Sequence, residues 1–91
     1  MTKSKQEALK FLSKYGLDGS NEFRYQMLDR MRSDCAYYLG NGRIDAKQLW
    51  ANNVKDHIRI MKELYNSFER AEKPQWISMK DIKEFERLML S

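Results

Sequence analysis

Val54-Lys55-Asp56-His57-Ile58-Arg59-Ile60-Met61-Lys62-Glu63-Leu64-Tyr65-Asn66-Ser67-Phe68 is the stretch that decides the fold. Val54, Ile58, Met61, Tyr65 and Phe68 step by four, three, four and three residues, with Leu64 alongside. That spacing winds one apolar stripe along a helix and fits no strand. Asn53 with Asp56 three residues on is a variant of the capping box, so the helix is predicted to start near Asn52 or Asn53. Just upstream, Ile44 to Ala51 reads as a short helical turn capped by Asp45. Whether 45–68 makes one helix or two stays open at this level.

The same periodicity extends in both directions. Phe23, Met27, Met31, Cys35 and Tyr38 predict a second stripe over about Asn21 to Leu39, widened by Leu28 and Leu39, with Gly40-Asn41-Gly42 as its C-cap. Arg30–Asp34 and Asp29–Arg32 ride outside it as helix-surface pairs. Toward the N-terminus, Ala8, Leu9, Leu12 and Tyr15 share one face of a helix from about Ser4 to Tyr15. Gly16 is placed as its C′ glycine and Leu17 as the apolar anchor of the turn. Ser20 or Asn21 is placed to cap the helix that follows. Beyond the deciding stretch, Glu69 to Lys73 is a charged connection and Pro74 holds the residue before it out of helix geometry. The last helix has a clear start: Ser78 at N-cap, Asp81 at N3, and Ile77 at N′ facing Ile82 at N4 as a hydrophobic staple. Ile82, Phe85, Leu88 and Met89 make its apolar face. The expectation is an all-α compact bundle of three to four main helices plus a short helical turn.

Ninety-one residues suffice for one domain and not for two, so residues 1–91 read as a single helical domain, with 1–19 an added basic helix and loop. A 42% hydrophobic share sets the chain apart from disordered sequences. One Cys and one His leave no internal disulfide and no Cys/His zinc cluster. No cofactor motif occurs, and no cofactor or metal is expected. No apolar run approaches the roughly 18 residues that span a bilayer. The opening Met1 to Glu7 does not lead into a signal-peptide core. A reduced, cytoplasmic protein is the expectation.

Catalysis finds little to build on. Cys35 lies on the apolar stripe, where a thiol packs as a small hydrophobe. His57 borders the deciding stripe, a place where packing roles outnumber general-base roles. The pairs Asp29 with Asp34 and Glu84 with Glu86 are surface carboxylates beside Lys or Arg, with nothing to split their pKa values.

Binding is the better prospect. Trp50 and Trp76 each stand just ahead of a helix, as end plugs of the bundle or as anchors for a partner. Tyr37 cannot share the core with Tyr38, because helix neighbours diverge by about 100°. Tyr37, Trp50 and Trp76 are therefore the partner-binding candidates, the partner being another protein. Met27, Met31, Met61 and Met89 read as core filler. The net charge is +4, and residues 1–16 hold Lys3, Lys5, Lys10 and Lys14 against Glu7 alone, leaving +1 elsewhere. Those lysines are the phosphate-contact candidates of an alternative, nucleic-acid-binding reading. No helix-turn-helix is visible, since Gly40 to Asn52 separates the relevant helices.

Tyr25-Gln26-Met27-Leu28-Asp29-Arg30-Met31-Arg32-Ser33-Asp34-Cys35-Ala36-Tyr37-Tyr38-Leu39-Gly40-Asn41-Gly42 resembles the opening of the large polyvalent protein-associated domain 11. Leu49-Trp50-Ala51, His57-Ile58, Met61 to Asn66 and Lys73-Pro74-Gln75-Trp76-Ile77 continue the resemblance, which covers about 25–89. The basic first helix lies outside it. The resemblance implies a small helical domain found in large proteins of phages and conjugative elements and as stand-alone proteins on mobile elements. It brings no catalytic residue. What it implies is an accessory role in a mobile genetic element, with inhibition of a host defence system as a weaker alternative.

Overall fold

Helix α1 (Lys5–Ser13) ends where glycine chemistry allows it. Gly16 sits at φ 70°, the left-handed region that costs a Cβ-bearing residue energy. The Leu17 N–H then reaches back to Leu12 O at 3.0 Å and the Gly16 N–H to Ser13 O at 3.2 Å. This is the double closure of a Schellman motif, and Leu12 and Leu17, its two apolar anchors, are both buried. Tyr15 falls beyond the last helical residue and turns outward, 43% exposed, so it does not continue the face of Ala8 and Leu12 as its spacing predicted. The computed structural model describes residues 5–40 and 53–90. Lys3, Trp50, the Asn41-Gly42 part of the expected cap and the turn expected at Ile44 to Ala51 lie outside the described residues.

Helix α2 (Asn21–Gly40) buries Arg24, Leu28, Met31 and Cys35. The stripe is rotated from the predicted one: Phe23 stands 38% exposed and Arg24 takes its place at 3%. Helix α3 (Val54–Asn66) begins at the expected cap, with Asn53 Oδ1 accepting the Asp56 N–H at 2.8 Å. Its buried face is wider than one stripe and adds His57, Ile60 and Glu63. The reason is position: α3 packs against α1, α2 and helix α4 (Met79–Leu90). Ile58, Ile60, Met61 and Leu64 are at most 1% exposed, and each such burial stabilises by about 1.5–3 kcal/mol.

A 3-10 turn (Arg70–Glu72) interrupts the connection between α3 and α4, and Lys73 before Pro74 is extended at φ −62°, ψ 138°. The start of α4 is the reciprocal box its sequence predicts. The Ser78 N–H donates to Asp81 Oδ2 at 2.9 Å and the Asp81 N–H to Ser78 Oγ at 3.2 Å, while Ile77 and Ile82 are both buried. The described residues are thus all-α, four helices and one 3-10 turn, with no strand.

Arg24 joins the ends of these elements. Its Nε donates to Gly19 O at 2.9 Å, and its Nη1 to Ser67 O at 2.9 Å and to Ser67 Oγ. Nη2 donates to Asn21 Oδ1, and the guanidinium lies 4.8 Å from the centre of the Phe68 ring. Lys73 Nζ completes the arrangement by donating to Tyr65 O at 2.9 Å and Phe68 O at 3.2 Å. Carbonyls at the negative end of α3 are thereby satisfied by two cations. Replacing Arg24 by Met keeps the bulk and orphans the buried acceptors, so we expect a loss of about 3 kcal/mol in urea unfolding. Arg24→Lys should lose nearly as much, because one ammonium cannot face acceptors on three sides.

Candidate functional site

Pro74 and Ile77 are buried, and the chain between them turns Trp76 outward. The indole is 43% exposed, yet it is not loose. Arg32, reaching over from α2, lays its guanidinium 5.2 Å from the ring centre, and Asp29 one turn earlier holds that guanidinium at 2.6 Å. A cation–π contact at such a half-exposed place contributes about 0.5–1 kcal/mol. Arg32 Nε is sealed from solvent and has no hydrogen-bond partner among the described residues.

Trp76 and Arg32 form the ridge between two shallow depressions. One, of about 400 Å³, is walled by Tyr25, Gln26 and Asp29. The other, of about 230 Å³, is floored by Ile77, Phe85 and Leu88 and rimmed by Asp81 and Glu84. Such an apolar floor can seat an apolar side chain. The sequence singled out Trp76 but not Arg32, whose role depends on α2 lying beside the connection that leads into α4.

Tyr37 is 59% exposed, as its place on α2 predicts. It follows Arg32 by five residues, about 140° farther around the helix, so Tyr37 and Trp76 do not share one patch. The lysines are divided too. Lys5 Nζ faces Glu69 at 3.4 Å, near the end of α3. Lys10 is exposed on α1 and Lys14 lies in the turn that closes it, with Lys14 Nζ 6.0 Å from the Phe11 ring centre.

Cys35 and His57 are each 0% exposed. Cys35 Sγ meets Met61 Sδ at 3.5 Å, and burial, aided by Asp34, pushes the thiol up to about 12. His57 Nε2 lies 3.0 Å from Met31 O. A carbonyl only accepts, so Nε2 carries the hydrogen and Nδ1 is bare. Nδ1 is buried and without a hydrogen-bond partner among the described residues. Burial holds the imidazole below its ordinary 6.5, opposed in part by the Met31 carbonyl and Asp34. Among the described residues no group of three or more His, Cys, Asp or Glu is placed to hold a metal ion. No helix there is long and apolar enough to cross a membrane.

A family model for the large polyvalent protein-associated domain 11 matches residues 21–89. The chain belongs to that family. No curated protein and no solved structure matches it. The domain 11 match opens at Asn21, the first residue of α2, and runs to Met89 in the last turn of α4. The Trp76–Arg32 ridge and the Arg24 junction, save its Gly19 acceptor, fall inside it, while α1 with its lysines lies outside.

The buried Cys35 and His57 can each be checked in solution. A thiol this far from ionisation offers almost no nucleophile, so Cys35 should resist Ellman's reagent in the native protein at about pH 8 and react fully in urea. A reaction rate in buffer equal to that in urea would contradict it. For His57, the unfolded chain takes up a proton near pH 6.5 while the folded chain resists it. Stability should be complete above that pH and decline below it until the lowered folded value is reached, with a slope of up to about 1.4 kcal/mol per pH unit. His57→Gln should flatten that decline in urea titrations run from about pH 7 to about pH 5.

Proposed function

We propose that this chain is a non-enzymatic accessory domain of a mobile genetic element that works by binding another protein, with Trp76 as the anchor of the contact. The observation that carries this reading is an indole held half in solvent by Arg32, between two depressions. Compared with an indole buried as an end plug, this one leaves apolar area in water, so its outward setting costs stability that a partner restores. Trp and Arg are also the side chains in which binding energy concentrates. Ile77, Phe85 and Leu88 line the depression beside the indole, and the carboxylates around it are already engaged, Asp29 by Arg32, Glu84 by Arg87 and Asp81 in the cap of α4, so the complementary segment is one that presents an apolar side chain. Tyr37 marks a second, separate place where a partner could touch α2. The family description associates the domain with large polyvalent proteins, which is compatible with an accessory role.

Affinity purification of the tagged full chain from its native host tests this. Wild type and Trp76→Phe should co-purify the same protein, and Trp76→Ala should lose it by tenfold or more with little change in melting temperature. Equal recovery by Trp76→Ala would remove the anchor and with it the reading.

A further inference from the structure

Helix α3 packs against α1, α2 and α4; its exposed residues are Lys55, Asp56 and Arg59, Asp56 being engaged with the Asn53 cap, and three cations mark one strip of it. Lys55, Arg59 and Lys62 follow one another at four and three residues along it, which sets them in a line spanning roughly 10 Å of helix axis. They line one side of a depression of about 510 Å³ whose other wall is α4, with Glu86 and Leu90. Lys55 and Arg59 are exposed. Glu63 belongs to the same lining but lies beneath it, only 3% exposed, so Glu86 is the one carboxylate of that lining at the open surface.

The Arg59 guanidinium lies over the Phe11 ring of α1, 4.6 Å from its centre, and its N–H donors can meet an oxyanion. Lys14 adds a further positive charge beside the same ring. Lys62 Nζ contacts Glu86 at 3.0 Å, with both groups about a third exposed, a pair weak enough for a stronger anion to displace. Lys55 and Arg59 repel each other at this spacing, as do Arg59 and Lys62.

We propose that this strip binds the phosphodiester backbone of a nucleic-acid strand. A strand carries one charge per nucleotide without a break and so meets three cations in line at once. The depression is concave and suits a strand, whereas a flat bilayer surface touches its rims and not the row of cations. The strip shares no residue with the Trp76–Arg32 ridge, and it does not depend on the protein-binding reading.

Fluorescence anisotropy with labelled single-stranded DNA, single-stranded RNA and duplex DNA tests it on the full chain. Three phosphate contacts predict that affinity for at least one of them falls about 20- to 40-fold between 50 and 200 mM salt. The triple variant Lys55→Gln, Arg59→Gln, Lys62→Gln should lose both the binding and its salt dependence while keeping the wild-type circular dichroism. The triple variant Arg30→Gln, Arg70→Gln, Lys83→Gln, equal in charge change, and Trp76→Ala should both bind as wild type does. No binding to any of the three probes, equal loss in the control triple, or binding only to phosphatidylserine vesicles overturns the proposal.

Discussion

The end of α3 is where this fold is tied. A helix terminus inside a protein leaves carbonyls that must find donors. Arg24 and Lys73 supply them, bringing positive charge to the negative end of the helix. Burial works against both cations, pulling each below its ordinary pKa. For Arg24 the compensation is complete in geometry: donors on three sides each find an oxygen, and its face rests on Phe68. Tyr25 then stacks on Phe68 at 4.4 Å and donates through its hydroxyl to Glu72 O. The connection after α3 is thus fixed from two sides. It is this connection that leads into buried Pro74 and Ile77 and leaves Trp76 facing out.

Much of this is legible in the residues, and the part that is not has a common cause. Gly16, Asn53 and Ser78 act through neighbours within five residues, so sequence spacing carries their geometry. Phe23 is misplaced when an apolar stripe is followed one residue too far. The side of α2 that turns inward is set by Leu28, Met31 and Cys35, and continuing back four residues from Leu28 reaches Arg24. An arginine looks like a surface residue until the carbonyls of Gly19 and Ser67 are seen around it. Those partners sit five and 43 residues away, beyond any periodicity. Ile60 and Glu63 escape the pattern for a related reason: a helix with neighbours on three sides buries more than one stripe.

The candidate sites divide along the same line. Trp76 stands out by composition, but its support by Arg32 requires α2 to lie beside the connection that carries the indole. The lysines of α1 stand out by count, and the structure separates them, with Lys5 turned toward Glu69. Lys55, Arg59 and Lys62 do not stand out at all, because a charged helix face normally reads as solvation. Only the burial of the rest of α3 gives that strip its meaning.

Stability alone is a poor explanation of the strip. Like charges at these helical spacings each cost about 0.2–0.5 kcal/mol, and among the described residues lining the depression only Lys62 is paired with a carboxylate at the open surface. Elsewhere on the same bundle the chain relieves its charges locally: Arg32 meets Asp29 and Arg87 meets Glu84, each three residues apart. A sequence that pairs Arg32 and Arg87 within their own helices α2 and α4 and sets three cations along one strip of α3 departs from its own local rule. Departures of that kind are expected where a surface answers to a ligand rather than to folding.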